Sequence, residues 1–301
     1  MNAVEIEHVT KSFGQHVAVN NLSLAVPASS VYGFIGPNGS GKTTTLRMIM
    51  RILHPDSGEI RVLGEQSLDS ADDRVSYLPE ERGLYKNMKV RDVLAFYAAL
   101  KGFYDSGPAI SEWLEQLGLG AWAGAKVSAL SKGMAQRVQF VAAIIARPQL
   151  VLLDEPFSGL DPVNAEVLRN AVLDLRHEGT TVIFSTHDMS VAEKMCDFIF
   201  MIHKGNKVLD GSLESIQEAY GQDILRVRLE GGSLEGLPGV VKVTDYGKLQ
   251  ELRLEPRSDP ERILALLSQR GKVRHFEVAH PSLADIFVRI AGAGAEEPVY
   301  A

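Results

Sequence analysis

Two hydrophobic patterns alternate along the first two thirds of the chain. Short runs that are apolar at every position occupy residues 31–35, 150–153, 182–184 and 198–202. Such runs predict strands buried on both faces of a parallel sheet. Between them lie segments whose apolar residues recur every three or four positions, the signature of helices that pack on one side. These predict helices at 42–53, 90–100, 111–117, 163–178 and from Ser131 to the stop at Arg147-Pro148. Val90, Val93, Leu94 and Tyr97 form one stripe; Met134, Val138, Val141 and Ile145 form another. A further strand is expected at 75–78. The first 30 residues follow a third rule: Val4, Ile6 and His8 alternate with Glu5 and Glu7, and Leu22, Leu24 and Val26 alternate after Asn20-Asn21. A period of two describes strands with one wet face.

Near Gly221 the order of elements changes. Strands expected at 224–229, 240–243 and 249–254 follow one another without an intervening helix. A helix then opens with Asp259 as cap and Pro260 in its first turn, with Ile263, Leu264 and Leu267 on one side. After a strand at 273–278, Ser282 and Asp285 stand at capping-box spacing before the stripe Leu283, Ile286, Phe287 and Ile290. The expected organisation is an α/β domain at 1–220, a small α+β domain at 222–292 and a frayed tail at 293–301.

The chain has 301 residues, 45% hydrophobic and 23% charged, which describes a folded chain and excludes a disordered or fibrous one. A net charge of −7 gives no whole-chain attraction to nucleic acid or anionic lipid. The single cysteine, Cys196, forms no internal disulfide and favours a reducing compartment. Early acids at the N-terminus argue against a signal peptide. No run approaches the roughly 20 apolar residues of a membrane-spanning helix. Any service to a membrane is therefore expected to run through a partner.

Two motifs carry chemistry. Gly36-Pro37-Asn38-Gly39-Ser40-Gly41-Lys42-Thr43 fits G-x-x-x-x-G-K-[ST] between an apolar strand and a helix. Its glycines let successive backbone N–H groups turn around a phosphate, and the helix adds its positive end; Thr44 continues the motif. Lys42 is expected at the β- and γ-phosphates and the Thr43 hydroxyl on Mg²⁺. The second motif is Asp154-Glu155, two acids closing the strand at 150–153. Adjacent strand residues point apart, so Asp154 is expected to hold Mg²⁺ through water and Glu155 to act as general base on the attacking water.

With these in place, the chain resembles the nucleotide-binding subunit of an ATP-binding cassette (ABC) transporter. Leu130-Ser131-Lys132-Gly133-Met134, just upstream of the acidic strand, is similar to the family signature L-S-G-G-Q. The resemblance implies that Phe13 stacks on adenine, that Glu80 stands where a glutamine senses Mg²⁺ and the permease, and that His187 is the switch histidine. It also implies that Ser158-Gly159-Leu160-Asp161 crosses a dimer interface. Ser131 and Gly133 would bind the γ-phosphate of a partner's nucleotide. Asp161, before Pro162, also reads as a helix N-cap. The chain departs from the pattern at Lys132, Met134 and Glu80. Lys132 either strengthens phosphate attraction or points to solvent; Glu80 keeps a ligating oxygen and adds a charge, which bears on coupling.

The C-terminal segment resembles the accessory domain of a subclass of bacterial ABC exporters, and both 280–287 and the stretch 77–85 of the first domain resemble that subclass. Together these imply the fold of a P-loop NTPase core of ABC type, with an antiparallel β lobe and a helical insertion, followed by a small α+β domain. They also imply ATP and Mg²⁺ as ligands, a head-to-tail homodimer, a separate integral-membrane permease, and a peripheral place on the cytoplasmic face of the membrane. No nucleic-acid partner is expected. The alternative is a soluble ABC-type ATPase, nucleic-acid or ribosome associated, that drives no transport.

Overall fold

A computed structural model describes residues 1–65, 72–81, 83–220, 224–255 and 258–293. The chain divides into two units, Met1–Ser212 and Leu213–Ala301. The boundary expected at 221 lies outside the described residues, as does the tail expected at 293–301 apart from Ala293, which ends the last helix.

The first unit contains, in order, β1 (Asn2–Phe13), β2 (His16–Pro27), β3 (Val31–Ile35), α1 (Lys42–Ile49), β4 (Ser57–Val62), β5 (Val75–Leu78), α2 (Val90–Leu100), α3 (Gly107–Gln116), α4 (Lys132–Ile144), β6 (Leu150–Asp154), α5 (Pro162–His177), β7 (Thr181–Thr186), α6 (Met189–Met195), β8 (Phe198–His203) and β9 (Asn206–Ser212). Every residue of β3, β6 and β7 is buried, as their continuous apolar runs require. They form the centre of a six-stranded sheet ordered β5-β6-β7-β3-β8-β9. All neighbours in it are parallel except β9, which runs antiparallel to β8. A second, antiparallel sheet is ordered β2-β1-β4.

One apolar core joins the two sheets. It contains Val4, Ile6 and Val9 of β1, Leu22 and Leu24 of β2, Phe34 of β3, and Leu46, Met48 and Ile49 of α1. α1 contacts β2 and β4 of one sheet and β6 of the other. The helix that follows the glycine-rich loop is thus fixed from both sides. Phe34 is fully buried and its ring packs against Tyr32 and Phe200 at centroid distances of 5.8 and 4.9 Å.

The alternation expected through His8 breaks there. His8 has φ +52 and is exposed, the register to β2 shifts between Ile6 and Val9, and Val9 takes the buried place instead. This is a β-bulge, which costs the strand one step of its period. α1 is also shorter than expected. It ends at Ile49, with Arg51 at φ +58 turning the chain four residues before Pro55. Gly33 of β3 makes room for Cys196, the residue after α6: a Cβ there would stand 2.6 Å from Cys196 Sγ. Cys196 is buried, and burial pushes its thiol pKa up.

The second unit contains α7 (Leu213–Ala219), β10 (Ile224–Glu230), β11 (Val240–Asp245), β12 (Gln250–Leu254), α8 (Pro260–Arg270), β13 (Lys272–Ala279) and α9 (Leu283–Ala293). Its sheet is antiparallel throughout and ordered β11-β12-β10-β13. Leu225, Val227, Leu252 and Leu254 of the sheet form a core with Ile263 and Leu267 of α8. The expected caps are in place. Asp259 accepts from Glu261 N at 3.0 Å, and Ser282 and Asp285 exchange reciprocal backbone-to-side-chain bonds of 3.0 and 3.1 Å.

Phe34→Ala should destabilise the first unit by about 3–5 kcal/mol, the usual cost of emptying a buried phenyl site. Denaturant unfolding followed by tryptophan fluorescence checks this, because Trp113 and Trp122 both lie in that unit.

Candidate active site

Four adjacent parallel strands end at one edge of the sheet, and each releases a residue singled out above. β5 leads to Pro79-Glu80, β6 to Asp154-Glu155, β7 to His187 and β3 to the glycine loop. The carboxyl ends of strands in an open α/β sheet are where ligand crevices form.

The loop is held by its own backbone. Gly36 N donates to Thr186 O at 3.3 Å, and Ser40 N donates to Pro37 O at 3.2 Å. Gly41 has φ +111 and lies so close to β2 that a Cβ would stand 2.5 Å from the Ala18 carbonyl oxygen. Only glycine satisfies both the torsion and the space. Lys42, 5% exposed, folds back into the loop: its Nζ donates to Gly36 O at 2.6 Å and Pro37 O at 3.1 Å, and stands 3.6 Å from Glu155 Oε1.

Asp154 is 1% exposed and accepts three hydroxyl groups. Ser185 Oγ donates to Oδ1 at 2.6 Å, Thr43 Oγ1 to Oδ1 at 3.1 Å and Tyr77 Oη to Oδ2 at 3.1 Å. Burial, and then the neighbouring Asp154 charge, push the Tyr77 pKa up to about 12. Glu155, with φ +49, points the other way; its N–H donates to Ser185 Oγ at 2.9 Å. His187 Nδ1 lies 3.0 Å from Glu155 Oε2.

A cleft of about 360 Å³ opens over the loop, lined by Phe13, Ala18, Asn38 to Thr44, Glu80 and Glu155, with His16. Its size is that of a small-molecule site. The structure therefore brings Phe13, the glycine loop, Glu80 and Glu155 to one cavity, with Asp154 and His187 bonded to that cavity's walls. Two buried oxygens among these residues, Ser40 Oγ and Glu155 Oε1, have no hydrogen-bond partner. Ser131, Gly133 and Asp161 do not line the cleft. Ser131 caps α4 by accepting from Met134 N at 3.3 Å, and Asp161 caps α5 by accepting from Asn164 N at 3.0 Å. The Asn164 backbone and side-chain hydrogen bonds hold the Asp161 carboxyl below the usual carboxylate range. Lys132 lies across Gly159, whose Cβ position is 2.6 Å from the ammonium.

Sequence reasoning missed His16, Ser185 and Tyr77. His16 had a readable signal. It pairs directly with Phe13 across the two-residue Gly14-Gln15 turn, so both side chains leave the hairpin on one face. Ser185 and Tyr77 gave none, because their partners are distant in sequence.

A profile of the family described as "ABC transporter" matches residues 19–158, and one described as "ATP-binding protein DrrA1-3-like, C-terminal domain" matches 211–291. The chain is 39% identical to the uncharacterized ABC transporter ATP-binding protein YhaQ of Bacillus subtilis, over 96% of this chain and 98% of that protein. It is 32% identical to the Nod factor export ATP-binding protein I of Burkholderia lata, over 96% and 97%. Among solved structures, the ATP-binding subunit of an ABC transporter superposes with a TM-score of 0.68 at 26% identity, covering 72% of this chain and 93% of that one. The first unit thus has the fold of an ABC ATPase domain.

Tyr77 gives a pH test. Its folded pKa of about 12 lies above the unfolded value of 10.0, so the unfolded state loses the proton first as pH rises. Stability from this group is complete below pH 10 and is lost between about pH 10 and 12. Tyr77→Phe should flatten that part of the stability–pH curve, measured by urea unfolding against wild type at each pH.

Proposed function

We propose that this chain, which belongs to the ATP-binding proteins of ABC transporters, hydrolyses MgATP at a head-to-tail homodimer interface to drive export through a separate membrane permease. The observation that carries the reading is the division of the site residues into two sets. Phe13, Asn38 to Thr44, Glu80 and Glu155 line one cleft, while Ser131, Gly133 and Asp161 do not line it. A second copy related by a two-fold axis supplies the missing set.

The residues present fit the ligands. Ser40 Oγ is a buried hydroxyl of the loop without a hydrogen-bond partner, able to donate to a phosphate oxygen. Glu155 Oε1 is a buried acceptor without one, and the Lys42 ammonium stands 3.6 Å from it. Mg²⁺, when bound, would neutralise phosphate charge; Thr43, Asp154 and Glu80 would hold it, directly or through water. The backbone N–H groups of residues 38–44 cradle the phosphates, and Lys42 leaves its loop carbonyls for the β- and γ-phosphate oxygens. Phe13, half exposed at the end of β1, offers a flat face to adenine. Glu155 accepts the proton of the attacking water, and His187 steadies its carboxylate through the 3.0 Å contact. Catalysis is then mostly positioning and electrostatics.

Transport is supported by the relatives named as ABC transporter ATP-binding proteins, and its outward direction by those named for Nod factor export. Among the described residues no helix is long and apolar enough to cross a membrane. The relatives' names as ATP-binding proteins of transporters support a permease on a separate chain, with this one peripheral on the cytoplasmic face.

The composite site is tested by mixing two inactive variants. Glu155→Gln should bind MgATP yet hydrolyse it very slowly. Ser131→Arg should bind ATP as a monomer yet lack steady turnover, because a large cation blocks the partner's γ-phosphate. Their heterodimer contains one site with an intact base and an intact signature, so steady-state phosphate release should recover on mixing. Full activity of either variant alone removes that residue from its role.

Lys42→Ala should weaken ATP binding and turnover together, because the phosphates lose their buried cation. Nucleotide titration and phosphate release measure the two losses; unchanged values in both remove the loop from the site.

A further inference from the structure

Two glutamines on α4 reach the two loops that carry the acids. Gln136 is 8% exposed, and its Nε2 donates to the carbonyl oxygen of Pro156, the residue directly after Glu155. Gln139, also 8% exposed, donates from Nε2 to Glu81 O at 3.1 Å and Pro79 O at 3.4 Å, the carbonyls on either side of Glu80. Residues three apart on a helix share a face, so one side of α4 grips both segments. Gln136, Gln139, Glu80 and Glu155 all line a second cavity of about 150 Å³.

Burying an amide is unfavourable unless its groups are bonded, and Gln136 meets that condition only in part. Its Oε1 is buried without a hydrogen-bond partner. An apolar residue of the same length would pack there without that cost, so packing does not account for the amide. The bond it makes does. Glu155 stands in the left-handed region at φ +49, a conformation that persists in a non-glycine residue only where surrounding contacts hold it. Ser185 Oγ holds the N–H of Glu155 and Gln136 holds the carbonyl of the next residue. The strained residue is pinned on both sides.

We propose that Gln136 is a positioning residue for Glu155, and that α4 thereby links the partner-facing Ser131 to this chain's own base. Ser131 caps the 13-residue helix that Gln136 belongs to, five residues earlier. A shift of that cap on meeting the partner's nucleotide carries Gln136 and the Pro156 carbonyl with it. Gln139 anchors the same helix to the loop after β5, so the shift also reaches Glu80. The inference rests on the reading of Glu155 as base.

The test uses the full chain with MgATP. Gln136→Met keeps the length and removes the donor; Gln136→Glu keeps the shape and turns the donor into an acceptor. Both should lower kcat by roughly ten- to a hundredfold, the scale of a misplaced catalytic group. KM should stay within about twofold, since the phosphate cradle is untouched. In single-turnover hydrolysis, neither change should slow the Glu155→Gln variant further, because Gln136 acts only through the group already lost. Unchanged kcat in both variants would overturn the proposal, as would a loss that repeats at full size in the Glu155→Gln background. Normal turnover of Glu155→Gln would instead remove the base itself. Slow Glu155→Gln beside normal Gln136 variants would leave the base in place and sink only the link.

Discussion

The carboxylate of Asp154 is the point on which the geometry of the site depends. Taking a charged carboxylate out of water is costly unless donors replace the water, and three hydroxyl groups do so here. They come from three different elements: Thr43 from α1, Tyr77 from β5 and Ser185 from β7. Satisfying one charge therefore ties together the glycine loop, the central strands and the loop before Glu80. Ser185 does more than donate, since the same oxygen accepts the Glu155 N–H. The adjacent acid is thereby fixed with its side chain directed away from Asp154, toward Lys42 and His187. Two neighbouring acids obtain different surroundings through a single serine.

The fold distributes labour by strand end and helix start. Strand ends of the central sheet supply the cleft, and they are rigid because β3, β6 and β7 are buried along their whole length. Helix starts supply Ser131 and Asp161, each of which spends its side-chain oxygen on capping its own helix. Those two hydrogen bonds fix both side chains against their own helices.

The central sheet, the glycine loop, the acidic pair and both capped helices of the second unit were legible because their signals are local. A continuous apolar run, a Gly-Lys-Thr spacing and a Ser–Asp cap each lie within a few residues of sequence. What escaped notice lacked that locality. β4 and β9 are half-exposed edge strands whose burial follows no strict alternation, so they carry little periodic signal. α6 and α7 have seven residues each, too few for a stripe to repeat. The bulge at His8 shifts the phase of β1, and nothing in the preceding alternation marks where. Among the site residues, Phe13, Glu80, Ser131, Asp161 and His187 were found through the ordered set of motifs they share with a family. Tyr77, Ser185, Gln136 and Gln139 act through partners 20 to 77 positions away, distances that only the folded chain closes.

The packing of Gly33 against Cys196 gives the protein a reporter of its own opening. Thiol reagents attack the ionised sulfur, and a buried thiol held in its neutral form offers little of it. Cys196 is the chain's sole sulfhydryl, buried against Gly33 of β3 at the end of α6. Its alkylation must wait for that contact to part. The labelling rate, read as intact mass over time, thus measures how often the end of α6 lifts from β3, without any engineered probe.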